Sequence, residues 1–375
     1  MFDYIVDYID KNHKQTIESD LSKVNDVIET IIHNVCTQKT TTKPFEIHMI
    51  REITNQRVSE IVKVQRLRKR VEKLEKLEIP DQRTSGWYAM RRKMLTASSL
   101  GTAFGECFFK SRNELILDKI EPNEAPLPFN PITEWGVKYE DVAIQFYEHV
   151  NGVKINDFGL IEHPHFEITG ASPDGICSND SPDEYIGRML EIKCPPKRKF
   201  TKSVPQNYMY QMQGQLECCD LDECDFLQVK LEEYSDFDEY VKDTNSESGQ
   251  TKNGLPKGCV VTYRDLFSEK NLYLYPELYK SDQYYIDWDA NQKKWIQENK
   301  KEYYETKWFC ITRYECTLVE RNRNFWNDAM PEIIRFWEDV DYYKQHGTES
   351  LEKTVESKRY KKPVTFIDTK ECMID

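Results

Sequence analysis

The reading of this chain turns on Ser172–Pro195, SPDGICSNDSPDEYIGRMLEIKCP. LEIK (190–193) has the apolar run of a strand. Successive strand side chains alternate faces, so Glu191 and Lys193 share one face while Leu190 and Ile192 point into the core. SPDG (172–175) holds a Pro-Asp-Gly turn signal at the edge of a neighbouring strand. With NDSPDEYIG (179–187) as the connecting loop, the two strands pair as a hairpin and Asp174 comes beside Glu191. Two acids and a lysine near one core are costly unless they pair or hold a metal. Oxygen ligands select Mg2+ or Mn2+ over zinc. Lys193, on the same face, can orient a water and add positive charge where a phosphodiester gathers negative charge during cleavage. An E-x-K triplet alone is commonly a surface ion pair. SPDG at hairpin distance and the Cys-Pro after the lysine favour chemistry.

Composition bounds the rest. The chain has 375 residues, 39% hydrophobic and 31% charged, which suits a globular protein with two domains as the expected count. No stretch of about 18 apolar residues exists, so no membrane partner is expected. Asp3, Asp7 and Asp10 interrupt the N-terminal apolar residues, unlike a signal peptide. The eleven cysteines, an odd number, predict reduced thiols and an intracellular protein. A formal charge of −13 argues against indiscriminate nucleic-acid coating, yet leaves room for a local basic channel.

Residues 1–80 read as a helical N-terminal extension. Ile17, Leu21, Val24, Ile28, Ile31 and Val35 fall on one helical face, and a second long helix runs up to Pro80. The opposite face of that helix, with Arg66, Arg68, Lys69, Arg70, Lys73 and Lys76, reads as solvated. Residues 81–346 alternate helical and strand patterns, with a polar insertion near 236–256 expected to be an exposed loop. Trp135, Tyr139, Val142, Phe146 and Val150 predict a strong helix stopped by Gly152. Residues 347–375 are charged and predict a loose, polar C-terminal tail. The histidines of EHPHF (162–166) read as an edge or loop pair. CPPKRKF (194–200) brings Lys197, Arg198 and Lys199 beside the E-x-K strand, which reads as a DNA-backbone contact together with Arg92.

Four segments in order carry a family resemblance: WYAMRRKMLTASSL (87–100), WGVKYEDVAIQFYE (135–148), ASPDGI…LEIKCP (171–195) and YMYQMQGQL (208–216). They closely resemble the phage lambda exonuclease family, also called YqaJ-like viral recombinases, within the PD-(D/E)xK nuclease superfamily. The resemblance implies an α/β (α+β) fold, a restriction-endonuclease-like core with a mixed central sheet flanked by helices. It implies that Asp174, Glu191, the Ile192 carbonyl and Glu140 hold Mg2+ (or Mn2+) and that Lys193 is catalytic. It implies that Tyr208 and Gln211 flank the attacking water, with Gln213 and Gln215 as weaker candidates. Arg91 and Ser98 match residues that hold the 5′-phosphate of a DNA end, a site where a guanidinium forks onto phosphate oxygens. The implied activity is a 5′-to-3′ exonuclease that degrades one strand of duplex DNA to mononucleotides and leaves 3′ single strands for recombination or repair. Implied partners are double-stranded DNA ends, a single-strand annealing protein and further copies of the chain as a homo-oligomer. The length and residue usage are similar to those of large-DNA-virus versions, which would place the protein in the host cytoplasm or nucleus. Two alternatives stay open: an endonuclease of the same superfamily acting on DNA or RNA, and a non-catalytic DNA-end-binding protein.

Overall fold

The fold is that of a computed structural model, which describes the chain except residues 41–42, 108, 122–129, 198, 201–202, 245–248, 266–267 and 362–375. It divides into two units, 1–77 with 177–187, and 78–176 with 188–375. The first unit holds helices α1 (Phe2–Asn12), α2 (Lys14–Ser19), α3 (Val24–Gln38) and α4 (Pro44–Glu75). Ile9, Ile17, Ile31, Val35, Ile50 and Val58 form its core. Pro44 opens α4, where a missing N–H costs nothing. The single face expected from Ile17 to Val35 is broken. Asp20 is extended and its carboxylate accepts from Ser22 N at 3.0 Å, ending α2 before α3 begins. The basic face of α4 is also more than solvated. Arg68 donates to Asn179 O (2.9 Å) and to Asp183 (2.7 Å), and Lys14 reaches the same Asp183 at 3.0 Å. Residues 177–187, the loop of the hairpin, thereby fold with these helices.

The second unit is a mixed α/β structure. Its strands are β1 (Leu95–Thr96), β2 (Ile155–Asn156), β3 (Ile161–Glu162), β4 (Thr169–Ala171), β5 (Gly175–Cys177), β6 (Met189–Lys193), β7 (Glu223–Glu233), β8 (Lys257–Asp265), β9 (Ser268–Leu274) and β10 (Glu302–Glu320). A seven-stranded sheet runs β2-β5-β6-β7-β10-β8-β9, and a three-stranded sheet runs β1-β4-β3. β6 lies inside the larger sheet, and Met189 to Ile192 are all buried, which is why a near-continuous apolar run suits it. β5 pairs antiparallel with β6, matching Gly175 to Leu190. β6 pairs parallel with β7, matching Glu191 to Phe226. Parallel neighbours need a crossover, here the helix Gln206–Cys219.

The helices of this unit are α5 (Ser85–Lys93), α6 (Leu100–Ala103), α7 (Arg112–Ile120), α8 (Pro131–Asn151), α9 (Gln206–Cys219), α10 (Phe237–Lys242), α11 (Asp282–Glu298), α12 (Arg323–His346) and α13 (Glu349–Lys361). Asn130 caps α8 and Gly152 ends it at φ 63°, a left-handed turn that glycine adopts without a Cβ clash. Tyr139, Val142, Phe146 and Tyr147 are its buried face, whereas Val150 is exposed. The polar 236–256 segment is not simply an exposed loop. Tyr240 on α10 is fully buried with Cys259 and Tyr285, because its hydroxyl is satisfied by Asp282 at 2.9 Å. Of the expected polar tail, residues 349–361 form α13, on which Leu351 and Val355 are buried, and 362–375 lie outside the described residues. Gly214 on α9 faces Leu100 and Ala97, and a Cβ there would lie 2.6 Å and 3.1 Å from their side chains. Gly214→Ala is therefore expected to cost about 1–3 kcal/mol by overpacking, read as a lower thermal midpoint. An unchanged midpoint would mean that α9 slides without cost.

Candidate active site

The β5–β6 hairpin sets the geometry. With Gly175 opposite Leu190, Asp174 and Glu191 continue the ladder at its next position. The Ile192 N–H donates to Asp174 Oδ2 at 2.7 Å, so the backbone of one strand holds the carboxylate of the other. Glu191 has no exposed surface, although it is an acid in a central strand. Such a charge survives burial only when paired and hydrogen-bonded. Its Oε1 accepts from Lys193 Nζ and from Gln211 Nε2 (2.8 Å), and its Oε2 accepts from Gln215 Nε2 (2.8 Å). Lys193 Nζ also lies 5.0 Å from the Tyr208 ring centroid.

α9 supplies this wall of the site. Residues 208, 211 and 215 are spaced three and four apart, so they share one helix face. Gln213 faces elsewhere: it donates to Glu320 O (2.8 Å) and accepts from Asn322 N (2.6 Å), a structural tie. Sequence reasoning ranked Gln213 and Gln215 alike, yet only Gln215 reaches the buried acid. The helical period would have separated them.

Glu140, on α8, accepts from Arg83 Nη2 at 2.8 Å. No sequence signal singled out Arg83, which stands in the left-handed region (φ 66°) before α5. Burial pushes the Glu140 carboxyl above its usual range; Arg83 opposes this and Asp141 adds to it. Asp174 is pushed well above the carboxylate range, first by burial and then by repulsion from Glu191 and Glu140. Burial pulls the Lys193 ammonium down, but Glu191 and Asp174 outweigh it and leave its pKa raised. Lys193 is therefore charged at neutral pH.

These groups fit a divalent cation chemically. They are hard oxygen donors, mutually repelling and largely enclosed, beside a buried oxygen, Gln215 Oε1, that lacks a hydrogen-bond partner among the described residues. As they stand, no three His, Cys, Asp or Glu side chains among the described residues converge on one ion position, because each carboxylate is engaged by an internal donor.

A second cluster lies on α5 and the segment after it. Arg91 Nη2 donates to Ser98 Oγ at 3.3 Å, and its guanidinium stacks on Trp87 at 4.3 Å. Trp87 Nε1 donates to Ser172 Oγ at 2.9 Å, tying this cluster to the strand end that carries Asp174. Burial lowers the Arg91 pKa. Arg92 and Lys197 are exposed, whereas Arg198 lies outside the described residues. Lys199 is exposed and engaged by a neighbour. His163 is remote from the acids: it stacks on Trp326 at 5.2 Å and lies 4.0 Å from Glu217. None of the ten described cysteines is in a disulfide among the described residues.

The raised Asp174 pKa has a stability consequence. The metal-free folded state holds this proton more tightly than the unfolded chain does. That contribution is complete below the unfolded carboxyl pKa and is lost as pH rises through the folded value. Asp174→Asn is thus expected to raise the thermal midpoint of chelator-treated protein at pH 8, by about 2–4 °C per kcal/mol relieved, and to leave it unchanged at pH 4. A lower midpoint at pH 8 would contradict the electrostatic strain.

The YqaJ-like viral recombinase domain matches residues 86–222, the span that holds both clusters. An uncharacterized protein of Acanthamoeba polyphaga mimivirus is 29% identical over 324 residues, covering 76% of this chain and 57% of that protein. A protein of African swine fever virus is 28% identical over 159 residues, covering 36% of this chain and 46% of that protein. The chain spans about half the length of the curated relatives it matches. Among solved structures, an exonuclease named LHK-Exo in complex with dAMP is similar at a TM-score of 0.42 and 19% identity, over 73% of this chain and 99% of that one. A phage-related exonuclease from Haemophilus somnus is similar at a TM-score of 0.35 and 14% identity, over 67% and 94%. Residues 86–222 of this chain thus carry a YqaJ-like viral recombinase domain.

Proposed function

We propose that this protein is a metal-dependent exonuclease that loads on a double-stranded DNA end and removes the 5′-ended strand as mononucleotides. The observation that carries the reading is the fully buried Glu191, held by Lys193, Gln211 and Gln215 one ladder position beyond the Gly175–Leu190 pair, where Asp174 continues the facing strand. A solvent-free acid paired with a lysine beside further carboxylates is a costly way to build a core and a useful way to build a phosphodiesterase site.

Asp174, Glu191, the Ile192 carbonyl and Glu140 are the groups that would hold Mg2+ or Mn2+. When bound, such an ion supplies Lewis-acid polarisation of a phosphoryl oxygen and lowers the pKa of a coordinated water. The chain's own contribution is positional and electrostatic. Lys193, charged at neutral pH beside the acids, is the group that would offset negative charge developing on the scissile phosphate. Gln211 and Tyr208 present polar groups from one helix face to the same place, which suits orienting a water. Arg91 and Ser98 offer three or more donors to a terminal 5′-phosphate, with Trp87 fixing the guanidinium plane. A duplex end so anchored sets the distance to the acids and makes the cut one of fixed length. The 3′-ended strand left behind is the substrate a single-strand annealing protein would take in recombination or repair.

The test is release of label from a linear duplex in Mg2+, beside a closed circle of the same sequence. Mononucleotides from the linear duplex alone are expected. Cutting of the circle would replace this reading with an endonuclease. Binding of ends without release in either Mg2+ or Mn2+ would replace it with an end-binding protein.

A further inference from the structure

A groove of about 470 Å3 lies in the second unit, outside the acids and the Arg91 cluster. Its walls come from α5 (Arg92, Lys93), α7 (Lys119) and α12 (Trp337, Lys344), and no carboxylate lines it among the described residues. Four cations around one cavity, in a chain of net charge −13, concentrate positive potential against the protein's overall sign.

Two features make this more than a solvated face. Lys119 is partly buried, and its Nζ donates to the carbonyls of Arg91 (2.6 Å) and Met94 (2.8 Å) rather than to an acid. Burial, then repulsion from Arg91 and Lys110, draws its pKa down to about 8, with Asp118 opposing. A bound anion would relieve that repulsion. Trp337 is half-buried, and its Nε1 is fixed to Ile168 O at 3.3 Å, so its ring is held rigid in the groove wall. Among the described residues Lys344 has a loose ion-pair partner, Asp341 at 4.0 Å on the surface.

The volume decides what fits. It falls at the lower end of the ~300–1,000 Å3 of small-ligand sites, so it can seat one nucleotide of a strand that runs on across its rim, but not a duplex. Cations beside a fixed aromatic face are how sequence-tolerant single-strand sites are built, with phosphates on the cations and a base on the ring. Duplex DNA, whose bases are already stacked, cannot use Trp337.

We infer that this groove binds the single strand exposed when the opposite strand is removed, with phosphates on Arg92, Lys93, Lys119 and Lys344 and a base against Trp337. The inference rests on the exonuclease reading, and it adds a holding site for the product strand beside the end-binding arginine. Such a site would keep the enzyme on its substrate between cuts.

Binding of the full chain to labelled DNA, measured by fluorescence anisotropy with chelator present, separates the two readings, because no cleavage is needed. The probes are a blunt 5′-phosphorylated duplex and the same duplex with a 3′ tail of about ten thymidines, a length within single-strand site sizes. The tail is expected to tighten binding about tenfold or more. Lys93→Glu with Lys344→Glu should remove that increment, leave the blunt duplex unchanged, and flatten the salt dependence by roughly two counterions. Trp337→Phe should keep the increment and Trp337→Leu should reduce it about fivefold or more, as loss of stacking does. A tail without effect on wild-type affinity overturns the inference. So does an equal loss on both probes in the charge-reversed variant, which would mark a general electrostatic field. Nucleotide release from the blunt duplex in Mg2+, run in parallel, reports on the exonuclease reading alone.

Discussion

Glu191→Gln is expected to reduce nucleotide release from a linear duplex by about 10²–10³-fold or more. The substitution keeps the side chain's shape but removes the charge that Lys193, Gln211 and Gln215 surround. It replaces one of the two carboxylate oxygens proposed to hold the metal with an amide nitrogen and leaves the Lys193 ammonium without its charged partner. Breaking a buried pair from one side costs about 3–5 kcal/mol, so part of the protein could be lost to unfolding. Two readouts keep chemistry and folding apart. Far-ultraviolet dichroism reports the folded fraction, and affinity for a phosphorylated duplex in chelator reports an intact end site. Activity lost with both preserved places Glu191 in the reaction. Activity within tenfold of wild type would make the buried carboxylate a structural device. Lys193→Ala should fall in the same range, without abolishing metal-dependent stabilisation if the acids rather than the lysine hold the ion.

Arg91→Ala is expected to lower kcat/KM on a 5′-phosphorylated duplex by about 10–100-fold, the loss of one charge-assisted fork onto phosphate. On a 5′-hydroxyl duplex the same variant should change little, because the interaction it removes is not made there. The wild type should therefore discriminate between the two ends and the variant should not. Ser98→Ala, which removes a single hydroxyl 3.3 Å from the guanidinium, should show a smaller effect of the same kind. Equal losses on both substrates would mean that Arg91 supports the fold, for instance through its stack on Trp87. Arg92 is exposed and its replacement is expected to leave end discrimination intact.

Much of the site was legible because strand and helix periods are short-range. Alternation along LEIK put Glu191 and Lys193 on one face, and the Pro-Asp-Gly turn put Asp174 at the hairpin's start; the ladder has Gly175 opposite Leu190. The three- and four-residue spacing on α9 likewise assigns Tyr208, Gln211 and Gln215 to one face, although Gln213 was then ranked beside Gln215. Periodicity failed where a specific hydrogen-bond partner, near or far along the chain, decided the outcome. The Ile17–Val35 face breaks at Asp20 because a local carboxylate competes for the backbone N–H. The 236–256 segment, polar by composition, still buries Tyr240 because Asp282 satisfies its hydroxyl.

What the sequence alone determined about this protein is therefore the local alphabet of the site: which acid and lysine share a strand face, which helix residues share a face, and that an arginine and a serine stand seven residues apart. The tertiary structure decided the partners. It closed Arg83 onto Glu140, set Gln215 rather than Gln213 against Glu191, and folded residues 177–187 among the first unit's helices through Arg68 and Asp183. It also brought Lys119 to the carbonyls of Arg91 and Met94, and Trp337 to the same groove. The physical reason is one of range. Backbone geometry repeats every two or 3.6 residues and can be read along the chain. A hydrogen bond between residues tens or hundreds of positions apart exists only because packing elsewhere has already brought their elements together.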